Sequence, residues 1–126
     1  MAKRVLVLDD DIAVLEAIET ALTYEDFDVK TIGRTYNIFK TIDEYHPDVI
    51  LIDFILDGMN GGEICRQIKS NPDTRHLPII IISAYQADSK KLLEFGCDHF
   101  IAKPFDLIEL NDGIGKVLNL KRETAK

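Results

Sequence analysis

Three carboxylates, a hydroxyl and an ammonium stand directly after four apolar runs of this chain. Val5-Leu6-Val7-Leu8 runs into Asp9-Asp10, and Val49-Ile50-Leu51-Ile52 runs into Asp53. Ile79-Ile80-Ile81-Ile82 runs into Ser83, and Phe100-Ile101-Ala102 runs into Lys103-Pro104. If the runs are parallel strands of one sheet, these polar groups gather at its C-terminal edge, where open α/β sheets bind ligands. Carboxylates about 5 Å apart repel by roughly 3 kcal/mol per pair at an effective dielectric near 20. Such a cluster takes up protons or binds a cation. No His or Cys stands at these ends, so the donors are oxygen only, which favours Mg²⁺ (or Mn²⁺) over Zn²⁺. A hard cation beside a lysine and a hydroxyl suits a phosphoryl group, whose transfer is chiefly positioning and charge neutralisation. A carboxylate is the natural nucleophile for an acyl phosphate, and Asp53 ends the central run.

The elements that must position these groups are legible along the chain. Residues 4–8 form a strand, and Asp11 caps a helix through about Tyr24, with Ile12, Leu15, Ile18 and Leu22 on its apolar stripe. Asp28–Ile32 fits a second strand. Thr35 starts a second helix carrying Ile38, Phe39, Ile42 and Tyr45 on one face, which His46-Pro47 breaks. Val49–Ile52 lacks alternation, as a central strand covered on both faces should. After the loop Asp57–Gly62, Asn60 and Glu63 resemble a capping box for a third helix ending by Ser70-Asn71-Pro72. Ile79–Ile82 is the fourth strand, and Asp88–Phe95 a brief helix stopped by Gly96. Phe100–Ala102 is the fifth strand. Asp106 with Glu109 starts a last helix that turns Leu107, Leu110, Ile114, Val117 and Leu118 inward. Lys121–Lys126 reads as a polar, frayed tail. Right-handed crossovers give a doubly wound, flavodoxin-like (βα)5 fold. Its five-stranded parallel sheet has the order 2-1-3-4-5, with the switch point between the first and third strands. Asp9, Asp10 and Asp53 meet there.

At 126 residues, 46% hydrophobic and 29% charged, the chain reads as one globular domain, 1–126, with a core over about 4–120. Its net charge of −7, with no basic cluster, argues against direct nucleic-acid binding. No apolar stretch approaches membrane-spanning length and no signal-like segment follows the start, so a soluble, cytoplasmic protein is expected. Cys65 and Cys97, without a Cys-x-x-Cys, read as reduced, buried thiols. Gly113 and Gly115 each cost about 1 kcal/mol in a helix interior, which close packing or a soft partner-binding face would equally explain.

Val-Leu-Asp9-Asp10, Ile-Asp53-x-x-x-x-Gly58-Met59-Asn60-Gly61, Ile-Ile-Ser83-Ala84 and Phe100-Ile-Ala-Lys103-Pro104-Phe105 together resemble the receiver domain of two-component response regulators, over Arg4 to about Leu120. The resemblance implies that Asp53 is phosphorylated by a histidine kinase or a phosphotransfer protein and signals to a downstream protein. It implies Mg²⁺ bound by Asp10 and Asp53, by Asp9 through water, and by the Ile55 carbonyl. Ser83 would hydrogen-bond the phosphoryl group, Lys103 would pair with it, and the Phe100 rotamer would follow Ser83. Phe100 would equally be a core residue in any such fold. Lys103-Pro104 is the expected cis peptide. Such a chain is a signalling phosphoacceptor, not an enzyme acting on other substrates. It is a monomer or a phosphorylation-dependent dimer, and stands alone or belongs to a longer protein.

The chain departs from the family pattern at Asp57, where proline is usual, and at Ser83, where threonine is commoner. The Ser83-to-Phe100 segment is about two residues shorter than usual, leaving a shortened fourth helix over Asp88–Phe95. Lys90-Lys91 near that helix's positive end oppose its dipole, and a marginal, mobile element is expected there. Ile55 and Tyr85 lack a group to orient attacking water, so self-dephosphorylation should be slow. Alternative readings are a haloacid dehalogenase-type phosphohydrolase and a degenerate receiver that only docks. The first leaves Asp53 without a task. A flavin or nucleotide binder would need a phosphate loop where this chain has acids.

Overall fold

The structure is a computed structural model that describes residues 2–34, 37–56, 59–84 and 93–125, with backbone alone at Met59 and beyond residue 119. Five parallel strands form the sheet: β1 (Arg4–Leu8), β2 (Asp28–Ile32), β3 (Val49–Asp53), β6 (Ile79–Ser83) and β7 (His99–Ala102). Their order is β2-β1-β3-β6-β7, which is 2-1-3-4-5 in the sequence of the main strands. A two-stranded antiparallel piece, β4 (Ile55–Leu56) with β5 (Met59–Asn60), lies where the sequence predicts a plain loop. The described helices are α1 (Ile12–Tyr24), α2 (Ile38–Tyr45), α3 (Gly61–Ser70) and α4 (Leu107–Ala125).

Every residue of β3 and β6 is buried, as their unbroken apolar runs predict. Alternation along the strands divides the core into two layers. Val5, Val7, Val49, Leu51, Ile80, Ile82 and Ile101 face α1 and α4. Leu6, Leu8, Ile50, Ile52, Ile79 and Ile81 face α2 and α3, with Phe100 packed against that layer. Each such side chain contributes about 1.5–3 kcal/mol on full burial.

Polar caps fix where helices begin. Asp11 accepts from the N–H of Ala13 and Val14, and Asn60 from Gly62 and Glu63. Glu63 does not complete the predicted box in the usual way: its carboxylate accepts from Arg66 at 2.9 Å. α2 is capped by Asn37 and begins at Ile38, later than the predicted start at Thr35, which lies outside the described residues. Asn is among the best N-caps because its short side chain reaches the free N–H groups of the first turn. His46 ends α2 in the left-handed region (φ 55°), just before Pro47.

Two further expectations change, and a third is not tested. Ile12 and Leu107, predicted inward, are 71% and 54% exposed, while Leu15, Ile18, Leu22, Leu110, Ile114, Val117 and Leu118 are buried. Both exposed residues open helices at the C-terminal edge, where the first turn stands beyond the sheet. The predicted frayed tail continues α4 as far as Ala125, in keeping with its helix-forming Lys, Arg, Glu and Ala. The expected short helix lies outside the described residues, apart from the turn at 93–96, where Gly96 has φ 93°.

Candidate functional site

Strand register brings the polar strand ends together. Leu8 pairs with Ile52, which sets Asp9 beside Asp53, and Asp53 pairs with Ile82. Ser83 pairs with Ala102, and the Lys103 N–H donates to the Ser83 carbonyl at 2.8 Å. Asp9, Asp53 and Lys103 thus follow the alternation of the α1/α4 face, and Ser83 and Phe100 that of the α2/α3 face. Phe100 pairs with Ile81, so it lies near Ser83 along the same side of two adjacent strands.

Asp9 and Asp53 are buried, Asp10 is exposed, and one carboxylate oxygen from each lies within 4.8 Å of the others. Lys103 Nζ spans the group, 3.1 Å from Asp9 Oδ2 and 3.4 Å from Asp53 Oδ2. The Lys103–Pro104 peptide is cis. Asp9 Oδ1 accepts from the Asp11 N–H at 2.9 Å, tying the acidic turn to the start of α1. Burial, reinforced by the Asp9 charge, pushes Asp53 up to about 6, against the pull of Lys103. Burial works to lower the Lys103 ammonium, but its hydrogen bond to Asp9 and the Asp53 charge outweigh this and hold it above the ordinary lysine value.

Among the described residues, Lys103 pairs with two buried carboxylates, and the Asp10 carboxylate lies beside them. The closeness of three carboxylates and the all-oxygen donor set fit a hard divalent cation. Ser83 is fully buried at the end of β6, and Phe100 is half-buried beneath the α2/α3 layer. The Ile55 side chain is 61% exposed on β4, next to the site. Asp57 and Tyr85 lie outside the described residues. Sequence reasoning missed the role of Gly61: its N–H donates to the Phe54 carbonyl at 2.8 Å, and any Cβ there would collide with the Asp53 carbonyl oxygen. The signal was present in the Gly61-Gly62 pair that opens α3.

The family model for the response regulator receiver domain matches residues 5–114. The chain belongs to this family. Curated relatives agree. Response regulator PleD of Caulobacter vibrioides is 35% identical over 112 residues, covering 87% of this chain and 25% of the relative. The phosphate regulon transcriptional regulatory protein PhoB of Rhizobium meliloti is 33% identical over 112 residues, covering 87% and 49%. The DNA-binding response regulator MtrA of Mycobacterium tuberculosis is 35% identical over 113 residues, covering 87% and 48%. This receiver therefore spans a quarter to a half of the length of these relatives. Among solved structures, the signal receiver domain of a signal transduction histidine kinase from Syntrophus aciditrophicus superposes with TM-score 0.84 at 25% identity, covering 94% of this chain and 91% of that one. A CheY-like receiver domain protein from Methanospirillum hungatei shares the fold with TM-score 0.88 at 23% identity, covering 98% and 99%. The receiver domain of sensor histidine kinase PA1611 from Pseudomonas aeruginosa shares it with TM-score 0.83 at 24% identity, covering 94% and 99%. That protein holds a magnesium ion in its active site cleft. Receiver domains are signalling modules of two-component systems. Among the described residues, no helix is long and apolar enough to cross a membrane.

Proposed function

We propose that this receiver domain takes a phosphoryl group onto Asp53 from the phosphohistidine of a kinase or phosphotransfer protein. The observation that carries the reading is the Lys103 ammonium bridging two buried carboxylates that lie beside a third. Asp9, Asp10, Asp53 and the Ile55 carbonyl are the groups that would hold Mg²⁺. When bound, that ion neutralises charge on the carboxylates and on the phosphoryl oxygens.

An Asp53 oxygen attacks phosphorus, the P–N bond to the donor imidazole breaks, and its electron pair stays on the leaving nitrogen, which takes a proton from solvent. The product is an acyl phosphate on Asp53. Lys103 holds the carboxylate and pairs with the incoming oxygens, while the Ser83 hydroxyl donates to one of them. The drawn-in Ser83 leaves space for the Phe100 ring to change rotamer, which carries the state to the surface. In this reading the whole chain, 1–126, is one receiver unit that acts on no substrate but its own phosphoryl group. Its output passes to a protein target.

Incubation with acetyl phosphate and Mg²⁺, followed by intact-mass measurement, tests this. A stoichiometric adduct of about 80 Da that is absent in Asp53→Asn is expected. Steady phosphate release from many esters, without an adduct, would instead indicate a hydrolase.

A further inference from the structure

Phe54 follows Asp53 directly, and its backbone is held at both ends. Its N–H donates to the Ile82 carbonyl at 2.8 Å, and its carbonyl accepts from the Gly61 N–H at 2.8 Å. The Phe54 ring meets Phe95 with centroids 5.8 Å apart and planes at 55°. Phe95 lies in turn under the Arg66 guanidinium, 4.8 Å from the ring centroid. Gly62 closes the circuit: a Cβ there would come within 2.9 Å of Phe95 Cγ and Cδ2. The first two residues of α3 are thus wedged between the backbone of Asp53 and the Phe95 ring. A Cβ at Gly61 would meet fixed backbone, whereas one at Gly62 would force the Phe95 ring to shift.

We propose that Phe54, Phe95 and Arg66 form a relay that reports the phosphorylation state of Asp53 on the outer face of α3 and on the turn before β7. It rests on the phosphoacceptor reading of Asp53, and it runs separately from Ser83 and Phe100. Phe54 sits between Asp53 and Ile55, so any rearrangement of those two residues around the phosphoryl group displaces its ring. Close-packed contacts pass such shifts on because they have no slack. Movement of Phe95 toward Gly62 would push α3, and movement the other way along these contacts reaches Arg66. There the signal meets solvent: Arg66 and its partner Glu63, 2.9 Å away, have side chains 53% and 50% exposed. A shift of Phe95 therefore changes the charge pattern that a partner meets.

The full chain carrying 4-fluorophenylalanine, with Phe95→Leu assigning the resonance of residue 95, makes the relay visible by fluorine NMR. Beryllofluoride with Mg²⁺ serves as the phosphoryl mimic, and its own bound-fluoride signals report occupancy of Asp53 independently. The expected result is a Phe95 resonance that moves in step with occupancy. Phe95→Leu, and the milder Gly62→Ala, are then expected to change the beryllofluoride concentration at half-saturation by about fivefold or more, the lower end of usual couplings between linked sites. A stationary Phe95 resonance at full occupancy overturns the relay and leaves the phosphoacceptor reading intact. No saturable bound-fluoride signal on the unsubstituted chain overturns both.

Discussion

Asp53 titrates against its surroundings, and the sign of that effect is measurable. With its pKa raised from 3.8 to about 6, folded Asp53 holds a proton over a range where the unfolded chain has released it. Stability of the metal-free protein must therefore fall as pH rises from about 4 to about 6, and the penalty is complete above that range. Each tenfold gain in proton affinity on folding is worth about 1.4 kcal/mol, so Asp53→Asn should stabilise the metal-free fold by at most about 3 kcal/mol at pH 7.5, less what Lys103 loses with its partner, and by little at pH 4. Urea denaturation at the two pH values checks this. The same proton competes with a cation, so Mg²⁺ affinity measured by calorimetry should fall several-fold between pH 7.5 and 5.5. A second residue-level expectation concerns lifetime. Ile55 presents an exposed aliphatic side chain beside Asp53 and cannot orient water there. The acyl phosphate should persist for minutes or longer in Mg²⁺ buffer, and Ile55→Glu should shorten its half-life. Phosphate release from the isolated adduct measures both.

The elements follow from local rules more closely than their overhanging ends do. The five main strands to within a residue, their order in the sheet and the Asp11, Asn60 and Asp106 caps are readable in the sequence, because alternation, apolar runs and capping side chains are local signals. Ile12 and Leu107 are misassigned by periodicity, which gives the apolar side of a helix but not where the sheet beneath it ends. The Phe54–Phe95 contact is illegible for a related reason: it joins distant segments with no shared period. The glycines of α3 and α4 separate close packing from flexibility in a way the sequence leaves open. Gly113 carries the packing role, since a Cβ would lie 2.9 Å from His99 Cδ2 and 3.1 Å from Ile101 Cδ1. Gly115 meets nothing within 4 Å. Gly115→Ala should therefore stabilise α4 by about 1 kcal/mol. Gly61→Ala, driven into the Asp53 backbone and to 2.9 Å from Ile52 Cγ2, should cost about 2 kcal/mol or more. Denaturant midpoints of the two variants, read at constant slope, decide it.

At the scale of the molecule, exposed apolar surface is distributed unevenly. Of the six large apolar side chains most exposed among the described residues, Ile12, Ile55, Leu107 and Ile108 stand at the C-terminal edge around Asp53. Tyr24 and Leu93 lie elsewhere. An apolar recess of about 430 Å³, lined by Val14, Ala17, Ala84, Phe105 and Leu107 among others, opens beside Lys103 on the same edge. A phosphohistidine donor must bring its bulky protein surface over this edge, whereas acetyl phosphate needs only to reach Asp53. Buried apolar anchors at the centre of an interface carry much of its affinity, so replacing them with charge weakens docking without touching the reacting groups. On a chain of net charge −7, an added carboxylate also deepens an existing negative field. Ile12→Glu and Ile108→Glu should each leave labelling by acetyl phosphate within about twofold of the unsubstituted chain, while transfer from a phosphorylated histidine donor slows by about tenfold or more. Rapid-quench transfer assays against the acetyl phosphate control measure the difference. Equal slowing of both routes would place these residues in the chemistry of Asp53 instead, and no slowing of either would move the donor's footprint away from α1 and the start of α4.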